Sequence, residues 1–150
     1  MPPEAAPFWP MCYFCTMKYI DCVGLLVIKD RKLLLAFSNN KKAWYLPGGK
    51  VDEGETAMAA LRREIKEELD VDLPETGVEW YYHIAAPAFG EKDTVMRQNC
   101  YHYELQQTPE PTAEIGDVRY FSFKDYGKEQ HQAPGVLIAF QKLQRDGLVD

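Results

Sequence analysis

The sequence predicts a single α/β domain, and three features of the chain support this prediction. Its 150 residues are an ordinary length for one domain. Several short apolar segments have the composition of β-strands. Residues 55–69 have the periodicity of an amphipathic helix. We therefore expect one folded domain over residues 18–150, preceded by an irregular leader of residues 1–17 that is rich in proline and aromatic residues.

The leader of residues 1–17 contains several prolines, which oppose helix formation. Cys12 and Cys15 form a C-x-x-C pair, but no second pair follows to complete a typical zinc site, so free thiols are favoured over zinc. Its aromatic side chains are expected to pack on the domain or on a second copy of the chain, which makes a homodimer a prediction. These aromatic residues are Phe8, Trp9, Tyr13 and Phe14.

The first strands of the predicted sheet are residues 22–28 and 33–37, which are joined by a tight polar turn. Neither segment alternates cleanly between polar and apolar residues, so we expect both faces to be covered. Residues 44–46 could form a further short strand. The Pro-Gly-Gly of residues 47–49 is then expected to break regular structure.

The helix predicted over residues 55–69 has Thr56 as its candidate N-cap. Pro74 lies beyond its end, as expected for a stop signal. Apolar residues at helical spacing form its buried stripe. These are Met58, Leu61, Ile65 and Leu69.

The second half of the chain predicts three more strands and a final helix. A proline-rich turn over residues 106–112 separates the second of these strands from the third, and Pro134 opens the helix. The three strands are residues 78–86, 94–105 and 118–123.

The predicted helix places three carboxylates, Glu64, Glu67 and Glu68, on one face beside the buried stripe. Like charges at this spacing repel by about 0.2–0.5 kcal/mol per pair, so folding alone gives no reason to gather them. A hard divalent cation would give such a reason, because it prefers carboxylate oxygens as ligands. The alternative is a solvated acidic face whose charges pair with neighbouring Arg and Lys side chains.

The spacing of this segment resembles the signature of the Nudix hydrolase, or MutT-like, family. Gly49 is followed by five residues and Glu55, and after seven more comes Arg-Glu-Ile-Lys-Glu-Glu-Leu over residues 63–69. One defined position differs, because Asp70 stands where the family has glycine. The glycine that the family has at this position suits a left-handed helix end. Aspartate tolerates this conformation better than most residues do. The resemblance implies a mixed β-sheet sandwiched between α-helices.

The resemblance also implies a cofactor, Mg²⁺ or Mn²⁺, and a set of ligands for it. By analogy with the family, Glu64, Glu67 and Glu68 would bind the metal, and the backbone of Gly48 would join them. Glu64 and Glu67 would also take part in catalysis.

Further site residues follow from the same resemblance. Glu55 and Arg63 would pair with each other and shape the catalytic loop and helix, and Gly49 and Lys50 would contact the substrate. Many family members add a glutamate from a downstream loop as an extra ligand or general base. Glu114 is the candidate here, and Glu110 and Glu104 compete with it.

The implied activity is the hydrolysis of the diphosphate linkage in a nucleoside diphosphate joined to another group. Nucleoside triphosphates, oxidised nucleotides and ADP-ribose-like compounds all remain open as substrates. The alternative is a non-catalytic Nudix module that binds and senses nucleotides, although such modules usually have a damaged signature. An interaction protein with an acidic surface helix and a relative of the family's isopentenyl diphosphate isomerases are weaker alternatives.

Charge and hydrophobicity limit the partners that we expect. The 17 basic and 23 acidic residues give a net charge of −6, which argues against a nucleic-acid polymer, because phosphate contacts need clustered Lys and Arg. A small phosphate ester remains compatible if a cation bridges the charges. No apolar run approaches the roughly 20 residues that cross a bilayer. We therefore expect a cytoplasmic protein with a small-molecule nucleotide partner.

Overall fold

A computed structural model of the protein describes residues 17–150. The predictions for the leader, including its aromatic packing, the homodimer and any role of Cys12 and Cys15, lie outside these residues. Within them the chain forms eight strands and three helices. The strands are β1 (Lys18–Leu26), β2 (Ile28–Lys29), β3 (Lys32–Ser38), β4 (Ala43–Tyr45), β5 (Gly48–Lys50), β6 (Glu79–Pro87), β7 (Thr94–His102) and β8 (Ile115–Phe121). The helices are α1 (Ala57–Leu69), α2 (Phe123–Tyr126) and α3 (Pro134–Arg145).

The strands form two four-stranded sheets. The first has the order β5-β1-β7-β6 and is mixed, because β1 and β7 run parallel while the other pairs are antiparallel. In the second, antiparallel sheet, β3 pairs with β8 along one edge and with β2 and β4 along the other. The mixed sheet of the prediction is confirmed, and the second sheet is an addition that the sequence did not predict.

Helices α1 and α3 cover opposite faces of the sheets, which confirms that both faces are buried. Alternate residues of a strand point to opposite faces, and β1 shows this directly. Val23 and Leu25 pack with α1, whereas Leu26 packs with α3. The fully buried apolar residues of α1 are Ala60, Leu61, Ile65 and Leu69. Met58 of the predicted stripe is only partly buried but packs against the same core.

Several predicted boundaries are wrong, and two of them concern the site. The helix begins at Ala57 rather than at residue 55, because Thr56 has extended backbone angles and caps the helix, and this leaves Glu55 in the preceding loop. Residues 47–49 were expected to break regular structure, but two of the three belong to a strand. Gly48–Lys50 forms strand β5, which pairs with Cys22, Val23 and Gly24 of β1.

The apolar run at residues 22–28 is also divided between two strands, β1 and β2, instead of forming the single strand that was predicted. The chain passes from the first sheet to the second at Val27, so that only Ile28–Lys29 forms the hairpin with β3. The strand predicted over residues 94–105 ends at His102, and the last strand begins at Ile115 and is followed by the short helix α2. Helix α3 begins at Pro134, as predicted.

Candidate active site

Helix α1 is fixed at both ends by the residues that flank it. At its start, the Thr56 hydroxyl accepts a hydrogen bond of 3.1 Å from the backbone N–H of Ala59, so the predicted N-cap is confirmed. At its end, Asp70 has φ 55° and ψ 41°, and its backbone N–H donates to the carbonyl of Lys66. Asp70 therefore adopts the left-handed conformation expected at this position, which is more costly for aspartate than for glycine.

The loop before β8 satisfies the last carbonyls of α1. The backbone N–H groups of Glu110 and Thr112 donate to the carbonyls of Leu69 and Glu68, each at 2.9 Å. The Thr112 hydroxyl donates to the carbonyl of Glu67. Helix ends otherwise leave such acceptors unpaired, so this loop is anchored to the carboxylate-bearing end of the helix. The anchoring also carries Glu114 into the site.

Strand β5 lies directly against two of the α1 carboxylates. The backbone N–H of Gly48 donates to Oε1 of Glu68 at 2.9 Å. A Cβ atom at position 49 would lie only 2.2 Å from Oε2 of Glu64. At position 48, φ is +143° and a Cβ atom would lie 2.0 Å from the carbonyl oxygen of Val23. Position 48 therefore requires glycine, whereas a side chain at position 49 would displace the carboxylate of Glu64, so the two carboxylates lie against the bare backbone of β5.

Arg63 binds the two carboxylates on either side of it. Its Nε and Nη2 donate to the two oxygens of Glu55 at 2.8 and 2.9 Å, and its Nη1 donates to Oε1 of Glu64 at 2.6 Å. The hydrogen bonds from Arg63 lower the pKa of Glu55 to about 2, and the same pairing raises the pKa of Arg63. The predicted contact between Glu55 and Arg63 is therefore present, and Arg63 also orients Glu64.

Glu68 is a buried acid with other carboxylates nearby. Only 7% of the residue is exposed. Burial raises the pKa of its carboxyl to about 8, and the negative charges of Glu64, Glu114 and Glu67 act in the same direction, against the hydrogen bond from Gly48. Burial also raises the pKa of Glu64. Such a group is costly to ionise unless a positive charge compensates it.

Glu114 is the downstream glutamate that faces the site. It lines the same cleft as Glu64 and Glu68, and Asn40 Nδ2 donates to its Oε2 at 2.7 Å. Glu110 instead contributes its backbone to the end of α1. Glu104 follows β7 and does not line the cleft. Of the three sequence candidates, Glu114 alone is brought to Glu64 and Glu68.

The site opens into a cleft of about 590 Å³ between the two sheets. Alternate residues of β1 and β7 form its floor, and β3, β4 and the start of β8 form the opposite wall. Gly48, Gly49 and Lys50, which the sequence assigned to metal and substrate, line its acidic end. Glu67 does not line the cleft, and its side chain is 55% exposed and lies 3.7 Å from Nη1 of Arg63. The residues of the apolar end include Tyr45, Leu46, Ala88, Phe89, Met96 and Gln98.

The carboxylates fit a hard divalent cation by their chemistry. Within residues 17–150, no three acidic, histidine or cysteine side chains already converge as a metal site; Glu64 and Glu68 are instead held by Arg63 and Gly48. The buried and costly charge of Glu68 and the glycine backbone against Glu64 are nevertheless what an oxygen-lined cation site provides. Among these residues Cys22 and Cys100 are free and buried.

Comparison with known proteins agrees with this geometry. Residues 18–140 match the NUDIX domain. The chain belongs to the NUDIX domain family. A MutT NUDIX hydrolase from Burkholderia pseudomallei has the same fold, with a TM-score of 0.70 at 21% identity over 84% of this chain and 98% of that one. The solution structure of the E. coli ORF135 protein superposes with a TM-score of 0.67 at 23% identity over 91% and 98%.

Curated relatives of this NUDIX domain are named as nucleotide and RNA hydrolases. An 8-oxo-dGTP diphosphatase of Buchnera aphidicola is 36% identical over 38% of this chain and 47% of its own length. A CTP pyrophosphohydrolase of Escherichia coli is 38% identical over 37% and 44%. An RNA pyrophosphohydrolase of Rhizobium meliloti is 23% identical over 84% and 88%. The chain thus spans less than half the length of the first two relatives.

The sequence did not predict three polar residues that lie in or beside the cleft of this NUDIX domain. Asn40 holds Glu114, Asp52 lies 3.3 Å from Nη2 of Arg63, and Gln98 lies in the floor. None occupies a defined position of the family signature, although Asp52 lies between Gly49 and Glu55. No local pattern marks them, because strand register and loop docking bring them to the site. Within the described residues, no helix is both long and apolar enough to cross a membrane.

Proposed function

We propose that this protein is a metal-dependent pyrophosphohydrolase that cleaves the diphosphate linkage of a nucleoside diphosphate joined to another group. The observation that carries the proposal is the buried Glu68 carboxylate, which is placed by Gly48 beside Glu64 and Glu114 at the end of an open cleft. A buried acid with a pKa near 8 that faces further carboxylates contributes nothing to folding that an amide could not provide. It is well suited to hold a cation.

Glu64, Glu67 and Glu68, with the backbone of Gly48, would hold Mg²⁺ or Mn²⁺. When bound, such a cation neutralises charge on the phosphates and lowers the pKa of a water ligand. Glu67 would have to turn inward from its exposed position, since its side chain does not line the cleft. Arg63 restrains Glu64 through the 2.6 Å hydrogen bond, so the guanidinium acts by orienting a ligand.

Glu114 is our candidate for the group that accepts the proton of the attacking water. Asn40 occupies its Oε2 and leaves Oε1 as the free acceptor among residues 17–150. A general base must lie within hydrogen-bond reach of the proton that it removes, and Glu114 lines the cleft beside the carboxylates. Lys50 and the backbone of Gly49, which line the same end, would contact the phosphates.

The named activities of the relatives define the substrates to test. The panel contains canonical and oxidised nucleoside triphosphates, CTP, ADP-ribose, dinucleoside polyphosphates and a triphosphorylated RNA oligonucleotide, each with and without Mg²⁺. Wild type is compared with the double variant Glu67→Gln, Glu68→Gln and with Glu75→Gln, an exposed glutamate outside the site, as the matched control. Products are separated by chromatography to locate the bond that is cleaved.

Hydrolysis of a panel member by wild type and Glu75→Gln, but not by the double variant, is the expected result. Equal turnover by the double variant, with its fold verified by circular dichroism, would contradict the ligand assignment. If no panel member is cleaved while Mg²⁺-dependent nucleotide binding persists, the alternative of a sensing module is favoured.

A further inference from the structure

Gln98 places a buried amide in the cleft, away from the carboxylates. It lies on β7, is only 7% exposed and lines the cleft. Within residues 17–150, the polar partner of its side-chain amide is the thiol of Cys100, whose Sγ lies 3.7 Å from Oε1. A thiol is a weak donor, and a buried amide without strong partners is destabilising. The amide therefore has unused capacity to hydrogen-bond something in the cleft.

The backbone around Gln98 makes room for this amide. A Cβ atom at position 24 would lie 2.9 Å from Nε2 of Gln98 and 3.2 Å from Cδ1 of Leu46. Gly24 of β1 thus provides the space in which the amide lies over the sheet. A methyl group at this position would force the amide of Gln98 to shift.

Strand register fixes how far Gln98 lies from the phosphate end of the cleft. Gln98 of β7 is paired with Cys22 of β1, which is paired in turn with Lys50 of β5. Neighbouring strands lie about 4.8 Å apart, so the Cα atoms of Gln98 and Lys50 are roughly 10 Å apart. A ribose and phosphates can occupy that interval, with a group beyond them over Gln98.

The walls beside Gln98 are aromatic. The ring centroids of Tyr45 and Phe89 lie 6.2 Å apart at an interplanar angle of 68°, and both rings line the cleft. The hydroxyl of Tyr45 is buried and has no hydrogen-bond partner among the described residues. Burial raises the pKa of Tyr45 to about 12, so the phenol remains a neutral donor. The Lys41 ammonium lies 5.5 Å from the centroid of the Tyr45 ring, and the two aromatic rings meet edge to face, so they provide apolar walls beside the amide.

We propose that Gln98 is the residue that determines which nucleobase the cleft accepts. Its amide presents a donor beside an acceptor, which is complementary to a base edge that presents an acceptor beside a donor. Tyr45 and Phe89 line the cleft beside this amide. This inference rests on the proposed function for the position of the phosphates, but base binding itself requires neither a metal nor hydrolysis.

Nuclear magnetic resonance of the metal-free protein tests the proposal directly. Uniformly ¹⁵N-labelled full chain in EDTA is titrated with the 5′-monophosphates of adenosine, guanosine, cytidine and uridine, and separately with ribose 5-phosphate. The Gln98 side-chain amide signals are assigned by their absence in Gln98→Leu. At least one nucleotide is expected to shift these signals, and ribose 5-phosphate is expected to leave them unchanged. If no nucleotide moves them, or if ribose 5-phosphate moves them equally, the proposal is wrong.

Affinities of the variants provide the second test. Gln98→Leu removes a hydrogen-bonding partner, so the affinity for the nucleotide should fall about tenfold. The affinity for ribose 5-phosphate should not change. Gly24→Ala, which displaces the amide without removing it, should act in the same direction. Gln141→Leu, at an exposed position on α3, is the matched control. Unchanged nucleotide affinity in both Gln98→Leu and Gly24→Ala would overturn the proposal. Failure of the proposed hydrolase function would instead appear as absence of turnover by wild type with Mg²⁺ while these shifts persist.

Discussion

The backbone N–H of Gly48 and the buried carboxylate of Glu68 are joined by a hydrogen bond of 2.9 Å. This contact links strand β5 to the last turn of α1 and fixes one carboxylate oxygen at the end of the cleft. The hydrogen bond favours the ionised acid, but burial outweighs it and the pKa of Glu68 rises to about 8. The pair therefore couples stability to pH and to cations.

In EDTA, the free energy of unfolding of wild type should fall as pH rises from about 4.5 to 8. Over this range the unfolded carboxyl of Glu68 loses its proton while the folded one retains it, so ionisation favours the unfolded state. Glu68→Gln should remove that part of the pH dependence and be more stable than wild type at pH 8. Urea denaturation across pH measures both. Parallel profiles for wild type and variant would contradict the burial argument.

Mg²⁺ should bind wild type more tightly as pH rises toward 8, because the cation competes with the proton on Glu68. Calorimetry in buffers of different ionisation enthalpy would detect the released proton. Glu75→Gln should match wild type. Metal binding with no proton release at pH 7 would show that Glu68 is not a ligand.

Gly49→Ala should weaken Mn²⁺ affinity about 10- to 100-fold, the cost usual when the support of a metal ligand is lost. The new methyl group would lie 2.2 Å from Oε2 of Glu64, so this carboxylate must move. Gly127→Ala is the control, since its Cβ would approach no atom closer than 3.3 Å and its φ is −61°. Manganese titration followed by electron paramagnetic resonance gives the affinities. An unaltered affinity in Gly49→Ala would contradict the prediction that Glu64 binds the metal from its place against the backbone of Gly49.

Asp70→Gly should stabilise the protein by about 0.5–1 kcal/mol. Glycine adopts the left-handed angles of this helix end without steric cost. The variant also loses the exposed ion pair between Lys66 and Asp70, at 2.9 Å, but such pairs contribute only about 0.3–0.5 kcal/mol. Urea denaturation of Asp70→Gly and of Asp72→Gly, which lacks the left-handed angles, separates the conformational effect. Equal stability changes in the two variants would refute it.

Glu55→Gln should lower the free energy of unfolding at neutral pH. It should also reduce the fall of this free energy as the pH becomes acidic. Arg63 holds the pKa of Glu55 at about 2, so the folded state releases its proton more readily than the unfolded state. The resulting stabilisation is complete above the unfolded pKa and disappears as pH falls toward 2. Glu53→Gln, in the same loop and exposed, controls for general charge effects. A profile of Glu55→Gln that falls as steeply in acid as that of wild type would refute the assignment.

The sequence by itself determined the features of this protein that depend on local spacing. Periodicity located α1, Thr56 marked its start, and the spacing of Glu64, Glu67 and Glu68 placed their charges on one face of the helix. The same segment carried the family resemblance. These features are local because residues three or four positions apart lie on the same face of a helix.

Only the tertiary structure decided which distant segments meet those charges. Strand β5 exists because Gly48 pairs with Gly24, although its own residues favour a turn. Glu114 was selected over Glu110 because the loop before β8 docks its backbone on the end of α1. Gln98 reaches the cleft through the register of β7 on β1. A shift of one residue in that register would turn Gln98 to the opposite face, and no local pattern in the sequence specifies which register forms.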